Sequence, residues 1–216
     1  MTKIILYSHD ISPPCRSVLL TAHAIGVEVE IREINLLTRD NKKEDFLKIN
    51  PQHTIPTIDD DGFVLADSHA IACYLIGKYA KDDSLYPKDL QKRALIDQRL
   101  HFDCGVHFSA ERRLLGEIFL GERKTISESR RNELKEAYGF LDKFLEDKNW
   151  LVGDSYTVAD ICSAATASSG LVVVNLNDYP NVKSWLKRCE EELPGYKEFN
   201  VSGVSKLHAA FRSKLG

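Results

Sequence analysis

Near residue 80 the hydrophobic rhythm of this chain changes, and that change limits the fold more than any other feature. Before it, strand-like and helical runs alternate. The spacing predicts strands at Lys3–Ser8 and Glu28–Ile34 and helices at Pro13–Ile25 and Asp40–Ile49. Two short strands, Thr57–Asp59 and Phe63–Ala66, flank the turn signal Asp60-Asp61-Gly62, and a helix over Ser68–Tyr79 follows. The order βαβαββα implies a mixed sheet covered by helices. Beyond the charged, Ser- and Pro-containing stretch Ala80–Asp89, every segment has helical period: Lys88–Leu120, Ser127–Glu146, Val158–Val174, Asn181–Glu192 and Ser205–Lys214. The chain therefore reads as an α/β unit over residues 1–80, a linker at 81–88 and an all-α unit over 89–216.

Composition narrows the class. With 43% apolar residues, 28% charged residues and a net charge of −3, the chain has the balance of an ordinary globular protein. Weak acidity without clustered Lys and Arg argues against nucleic-acid binding. The early apolar run Ile4–Tyr7 is far too brief for a signal-peptide core or a membrane span. Five scattered cysteines with no C-x-x-C suggest reduced thiols in a cytoplasmic protein. The seven histidines show no metal-ligand spacing; His101 and His107 are six apart, so no metal is expected.

Three stretches carry chemistry. In Tyr7–Arg16 (Y-S-H-D-I-S-P-P-C-R), Ser12 precedes two prolines and an apolar-periodic run, which makes it the N-cap of a helix. A helix start favours an anion through free amides and the macrodipole, so a hydroxyl there suits a thiolate. In Asn50–Thr57 (N-P-Q-H-T-I-P-T), Pro56 stands before a short strand. A cis bond after Ile55 would leave the Ile55 N–H and C=O open to an extended peptide, and an ordinary trans turn is the alternative. Asp67-Ser68 either caps the next helix or holds an α-amino and α-carboxylate group. All three lie at corners of one small sheet, where open α/β sheets bind ligands. A small thiol peptide fits that set.

Two rival chemistries fit less well. Thiol–disulfide exchange wants a thiolate where Ser12 stands, whereas Cys15 lies one turn inward. No histidine–acid pair accompanies Ser12 in a triad order, which weighs against a serine hydrolase. Thr157-Val158-Ala159-Asp160 reads as a structural capping box, and the small-residue run Ser163–Gly170 as a helix in close backbone contact with its neighbours.

The three motifs, together with S-L-Y-P-K-D, R-L-H-F-D-C-G-V and L-V-G-D-S-Y-T-V-A-D, strongly resemble the cytosolic glutathione S-transferases, most closely the epsilon class of insects. The resemblance spans the whole chain. It implies a thioredoxin-like N-terminal domain, an all-helical C-terminal domain, a homodimer, and conjugation of glutathione to hydrophobic electrophiles of the detoxification (xenobiotic) kind, with peroxide reduction as a side activity. By position, Ser12 would hydrogen-bond the glutathione sulfur, and His53, Thr54 and Ile55 would line the cysteinyl–glycyl portion. Asp67, Ser68 and His69 would hold the γ-glutamyl end, and Arg112 would reach in from the helices. The implied electrophile pocket is Ile11, Pro14, Phe108, Glu111, Leu115, Phe119 and Leu207, while His69 and His101 fall near the dimer two-fold. Asn41 stands where some members carry His, which weakens or removes a contact to the glycine carboxylate, and Asp67 replaces Glu. Glu111 is polar for such a pocket, and a non-catalytic carrier on the same fold is the alternative that Asn41 and Glu111 keep open.

Overall fold

The structure, a computed structural model, describes residues 4–36 and 38–216. Its first part follows the expected order: β1 (Ile4–Ser8), α1 (Pro13–Ala24), β2 (Val29–Glu33), α2 (Glu44–Ile49), β3 (Thr57–Asp60), β4 (Phe63–Ala66) and α3 (Ser68–Tyr79). Lys3, included in the predicted first strand, lies outside the described residues. The sheet runs β2-β1-β3-β4, with β1 parallel to β2 and antiparallel to β3, and β3 antiparallel to β4. Asp60 pairs with Phe63 in the ladder, so the hairpin turn is the two-residue Asp61-Gly62, both at positive φ (55° and 88°). The strand thus extends one residue past the predicted boundary. Asp60 is turned inward, where Tyr74, Lys78 and Tyr79 of α3 donate to it at 2.6, 2.7 and 2.8 Å. The predicted helix over Asp40–Ile49 is divided, because Lys43 is extended (φ −70°, ψ 146°) between a 3₁₀ turn and α2.

The second part contains α4 (Leu90–Phe102), α5 (Phe108–Phe119), α6 (Glu128–Phe144), α7 (Val158–Gly170), α8 (Pro180–Glu192) and α9 (Ser202–Arg212). The long run predicted from Lys88 to Leu120 starts at Leu90, after the Asp89 cap, and is interrupted by a π-helical turn over Asp103–His107. Gly105, a poor helix former, sits inside that turn. A second π turn, Tyr196–Val201, leads into α9. The helix predicted to reach Val174 ends at Gly170, whose carbonyl takes the Val173 and Val174 amides at 3.0 and 3.1 Å.

Two clusters of buried side chains hold the molecule together. Ile4, Leu6 and Ile58 of the sheet pack with Val18 and Leu19 of α1 and Ile71 and Leu75 of α3. The larger cluster fills the helical unit, and Leu20 of α1 with Ala72 and Ile76 of α3 joins it, so α1 and α3 each face two cores. Every residue of α7 is buried. Its small side chains let neighbours approach: a Cβ on Gly170 would lie 2.6 Å from Tyr138 Oη. The capping box is formed at the head of this helix. Asp160, itself wholly buried, accepts from Thr157 N at 2.9 Å, Leu151 N at 2.9 Å and Trp185 Nε1 at 3.0 Å. The architecture is a thioredoxin-like sheet unit followed by an all-helical unit.

Candidate active site

Sheet register brings three corners together. Tyr7 near the end of β1 pairs with Thr57 at the start of β3, and Thr57 pairs with Ala66 at the end of β4. The loop carrying Ser12, the turn at Ile55-Pro56 and the Asp67 corner therefore lie along one edge of the sheet.

Ser12 occupies the N-cap position of α1 (φ −81°, ψ 118°), and its carbonyl accepts from the Cys15 and Arg16 amides at 3.1 Å. Its hydroxyl makes no cap hydrogen bond. The expectation of free amides at this helix start needs correction. Pro13 and Pro14 have no N–H, and Cys15 N is already paired, so the helix dipole and the hydroxyl remain as anion-stabilising elements. Ser12 is 8% exposed, at the lip of the interior. Directly behind it, burial pushes the Cys15 thiol up from its ordinary pKa, with a hydrogen bond from Ser12 acting in the opposite direction. A protonated thiol in a wholly buried position is a packing group, not a nucleophile.

The Ile55–Pro56 bond is cis, and the Ile55 N–H and C=O have no partner among the described residues. Asn50, which sequence reasoning passed over, organises this loop. Its side-chain amide donates at 3.0 Å each to the Thr54 carbonyl, the Thr54 hydroxyl and the Thr57 hydroxyl, and its Oδ1 accepts from Gln52 N at 3.0 Å. Its only prior signal was a polar residue ahead of Pro51 in a tight turn. His53 is exposed at positive φ (49°), and Asn41 Nδ2 donates to its carbonyl at 2.8 Å. Asn41 thus braces the His53 turn.

Asp67 caps α3: Oδ1 accepts from His69 N at 3.0 Å and Ala70 N at 3.1 Å. It does so at φ 78°, ψ 118°, a conformation that L residues rarely hold and that concentrates at functional sites. Oδ2 takes no part in the cap, so capping and ligand binding are compatible. Ser68 opens the helix beside it. His69, by contrast, points inward, with Nε2 3.0 Å from Asp103 Oδ2, which also accepts from Thr166 Oγ1 at 3.2 Å. Burial works against a charge on His69, yet nearby Cys162 and the bond to Asp103 raise its pKa.

The electrophile list divides along α5. Phe108, Arg112, Leu115 and Phe119 recur at spacings of four, three and four, which is one helix stripe. Glu111 belongs to the adjacent stripe with His107, Leu114 and Ile118, all in the interior. It is 0% exposed, lies near Gly170 and Tyr138, and its pKa is raised well above the carboxylate range by burial, with Arg16 opposing. Its assignment to the pocket wall is therefore corrected. Phe119 packs edge-on against Phe211 of α9, Ile11 packs against the core of the helical unit, of which deeply buried Leu207 is part, and Pro14 is half-buried in the first turn of α1. A cleft of about 530 Å³ includes Phe108 and exposed Arg112 in its lining, but none of Ser12, Ile11, Pro14 and Leu207. No described helix is long and apolar enough to cross a membrane.

Comparison with known proteins places this geometry in context. The description "Glutathione S-transferase, N-terminal domain" matches residues 11–76, and "Glutathione S-transferase, C-terminal domain" matches residues 95–192. A glutathione S-transferase of Anopheles gambiae is 42% identical, over 100% of this chain and 99% of its own length. An epsilon-class glutathione S-transferase structure from the housefly, Musca domestica, has a TM-score of 0.94 and 40% identity, covering 98% of each chain. A glutathione transferase homolog of Drosophila mojavensis, solved with bound glutathione, has a TM-score of 0.91 and 41% identity, covering 100% of this chain and 99% of that one. Matched end to end in both sequence and fold, the chain belongs to the glutathione S-transferase family of enzymes, among its insect delta- and epsilon-class members.

Proposed function

We propose that this transferase conjugates reduced glutathione to hydrophobic electrophiles, with Ser12 holding the sulfur as a thiolate. One observation carries the reading: the Ser12 hydroxyl sits at a helix start without capping it, on the same sheet edge as the unpaired Ile55 backbone and the Asp67 carboxylate. The tripeptide would lie along that edge. Its cysteinyl backbone would pair with Ile55, its γ-glutamyl end would reach Asp67 and Ser68, and its glycine end would lie near His53, Thr54 and Asn41. Arg112 would reach in from α5. Residues 1–80 would form the glutathione-holding domain and 89–216 the domain bearing the electrophile wall, joined by 81–88.

The energetics are adequate. A free cysteine thiol titrates near pH 8.5, and lowering it by about two units needs roughly 2.7 kcal/mol of preferential anion stabilisation. One charge-assisted O–H···S⁻ hydrogen bond with a helix dipole is of that order. The thiol proton leaves to solvent. The sulfur then forms a bond to the electrophilic carbon, and the leaving group departs with its electron pair. Serine neither ionises nor attacks; it acts as an oxyanion-hole donor does. Peroxide reduction by the same thiolate, a detoxification role, a cytoplasmic location and a homodimer are parts of this proposal.

The test is Ser12→Ala assayed with a chlorinated nitroaromatic. The expected outcome is a fall in kcat of about 10²-fold or more, the loss typical of removing one anion-stabilising donor. Unchanged turnover contradicts the proposal. Glutathione binding without turnover across an electrophile panel would identify the carrier alternative.

A further inference from the structure

Arg16 lies on the second turn of α1, is 0% exposed, and directs its guanidinium beneath the loop that ends in Ser12. All five of its N–H groups have acceptors. Nε donates to Asn200 Oδ1 at 2.9 Å, and Nη1 donates to the carbonyls of Asp10 at 3.1 Å and Ile11 at 2.9 Å. Nη2 donates to the Ala165 carbonyl at 3.3 Å and to the Ser169 hydroxyl. Two acceptors belong to the Ser12 loop. The other three belong to α7 and to the π turn before α9, in the helical unit.

The surroundings leave this fork little freedom. A Cβ on Gly203 of α9 would collide with the Asp10 carbonyl oxygen and with Arg16 Cδ. Lys206, one turn further along α9, donates to the Asp10 carboxylate at the surface. All five acceptors are neutral oxygens. A buried cation is tolerated in such a place only because every N–H of its fork is satisfied. Burial brings Arg16 down to about 10, which leaves it charged at neutral pH.

We propose that Arg16 is a positioning residue for conjugation, fixing the Asp10–Ile11 backbone, and through it the Ser12 hydroxyl, against the helical unit that bears the electrophile wall. The inference rests on the reading of Ser12 given above. Arg16 touches neither substrate. It also does not brace the Asn50–Thr57 turn or the Asp67 corner, so its loss acts on alignment of the sulfur and not on affinity for the tripeptide. Lysine keeps the charge but replaces the planar fork with a point donor.

The experiment measures steady-state kinetics, the pKa of the bound glutathione thiol by its ultraviolet thiolate absorbance, and thermal stability. The variants are Arg16→Lys, Gly203→Ala, Ser169→Ala and Ser12→Ala. Arg16→Lys and Gly203→Ala are expected to lower kcat by about tenfold or more, as small misplacements of a reacting group do, and to raise the thiol pKa. KM for glutathione should stay within about threefold. Ser169→Ala, which removes one acceptor of five, should fold and show the same pattern weakly, and it decides the matter if the first two do not fold. The inference is overturned if kcat per folded molecule and thiol pKa are unchanged in the folded variants, whatever happens to stability. If Ser12→Ala itself leaves both quantities unchanged, the reading of Ser12 has failed. If Ser12→Ala lowers kcat and raises the thiol pKa while the other variants change neither, only the inference about Arg16 has failed.

Discussion

The Asn41 side-chain amide donates to the His53 carbonyl oxygen across 2.8 Å, tying the 3₁₀ turn before α2 to the loop that precedes the cis-proline. His53 is held at positive φ, so this bond fixes a conformation that the residue does not favour by itself. On the proposed reading of the site, Asn41 would serve the glycine end of glutathione indirectly, through the His53 backbone. One neutral hydrogen bond contributes about 0.5–1.5 kcal/mol. Asn41→Ala is expected to raise KM for glutathione by about two- to tenfold and to leave kcat within about twofold. Titrating glutathione at saturating electrophile checks this, and a fall in kcat with unchanged KM would contradict it.

Asp67 caps α3 and, on the proposed reading, also binds the γ-glutamyl end of glutathione, two tasks that substitution can separate. Asp67→Asn retains an oxygen for the His69 and Ala70 amides, so Tm should barely move, while the lost charge raises KM for glutathione by about tenfold. Asp67→Ala removes the cap as well. Losing a cap costs about 1 kcal/mol, which lowers Tm by roughly 2–4 °C in a chain of this size. Equal Tm values for the two variants would remove Asp67 from the cap.

His107 makes the fold sensitive to acid. It is wholly buried, both ring nitrogens lack hydrogen-bond partners among the described residues, and burial lowers its pKa from 6.5 to about 4 despite nearby Asp103. The unfolded chain takes up a proton near pH 6.5, whereas the folded chain does so only near 4. Its contribution is therefore intact above pH 6.5 and is lost as pH falls toward 4, by on the order of 3 kcal/mol. His107→Phe should keep the edge-on packing against Tyr138 and flatten the urea midpoint across that range. Parallel pH profiles for the two proteins would contradict the assignment.

Asp160 satisfies three buried N–H donors at once. Asp160→Ala would leave the Leu151 and Thr157 amides and the Trp185 indole N–H without acceptors at a wholly buried site. A loss on the order of 3–5 kcal/mol is expected, read as a lower urea midpoint or as failure to accumulate soluble protein. A change below about 1 kcal/mol would show that the site relaxes.

Local chemistry made parts of this molecule readable from sequence. Asp61-Gly62 supplied the positive-φ pair of a hairpin, Thr157 and Asp160 supplied a reciprocal cap, and the change from alternating to helical period anticipated that helices alone follow α3 among the described residues. Ser12 was identifiable at the start of α1, although the amides attributed to that helix were excluded by Pro13 and Pro14. Helical spacing also contained the information that separates Glu111 from the Phe108–Arg112 stripe. The roles of Arg16 and Asp103 were not readable. Arg16 meets Asn200 across 184 positions of sequence, and Asp103 meets His69 across 34, and no local pattern announces a partner at that separation. Asn50 was missed for the opposite reason: its partners lie within seven residues, but a polar side chain in a loop has many ordinary uses.

The most direct measurement is titration of the thiol of glutathione bound to the wild-type protein and to Ser12→Ala, read by thiolate absorbance in the absence of electrophile. The predicted result is a thiol about two units below its free value of roughly 8.5 in the wild type, returning most of the way in the variant. The same depressed pKa in both proteins would contradict the central role given to Ser12.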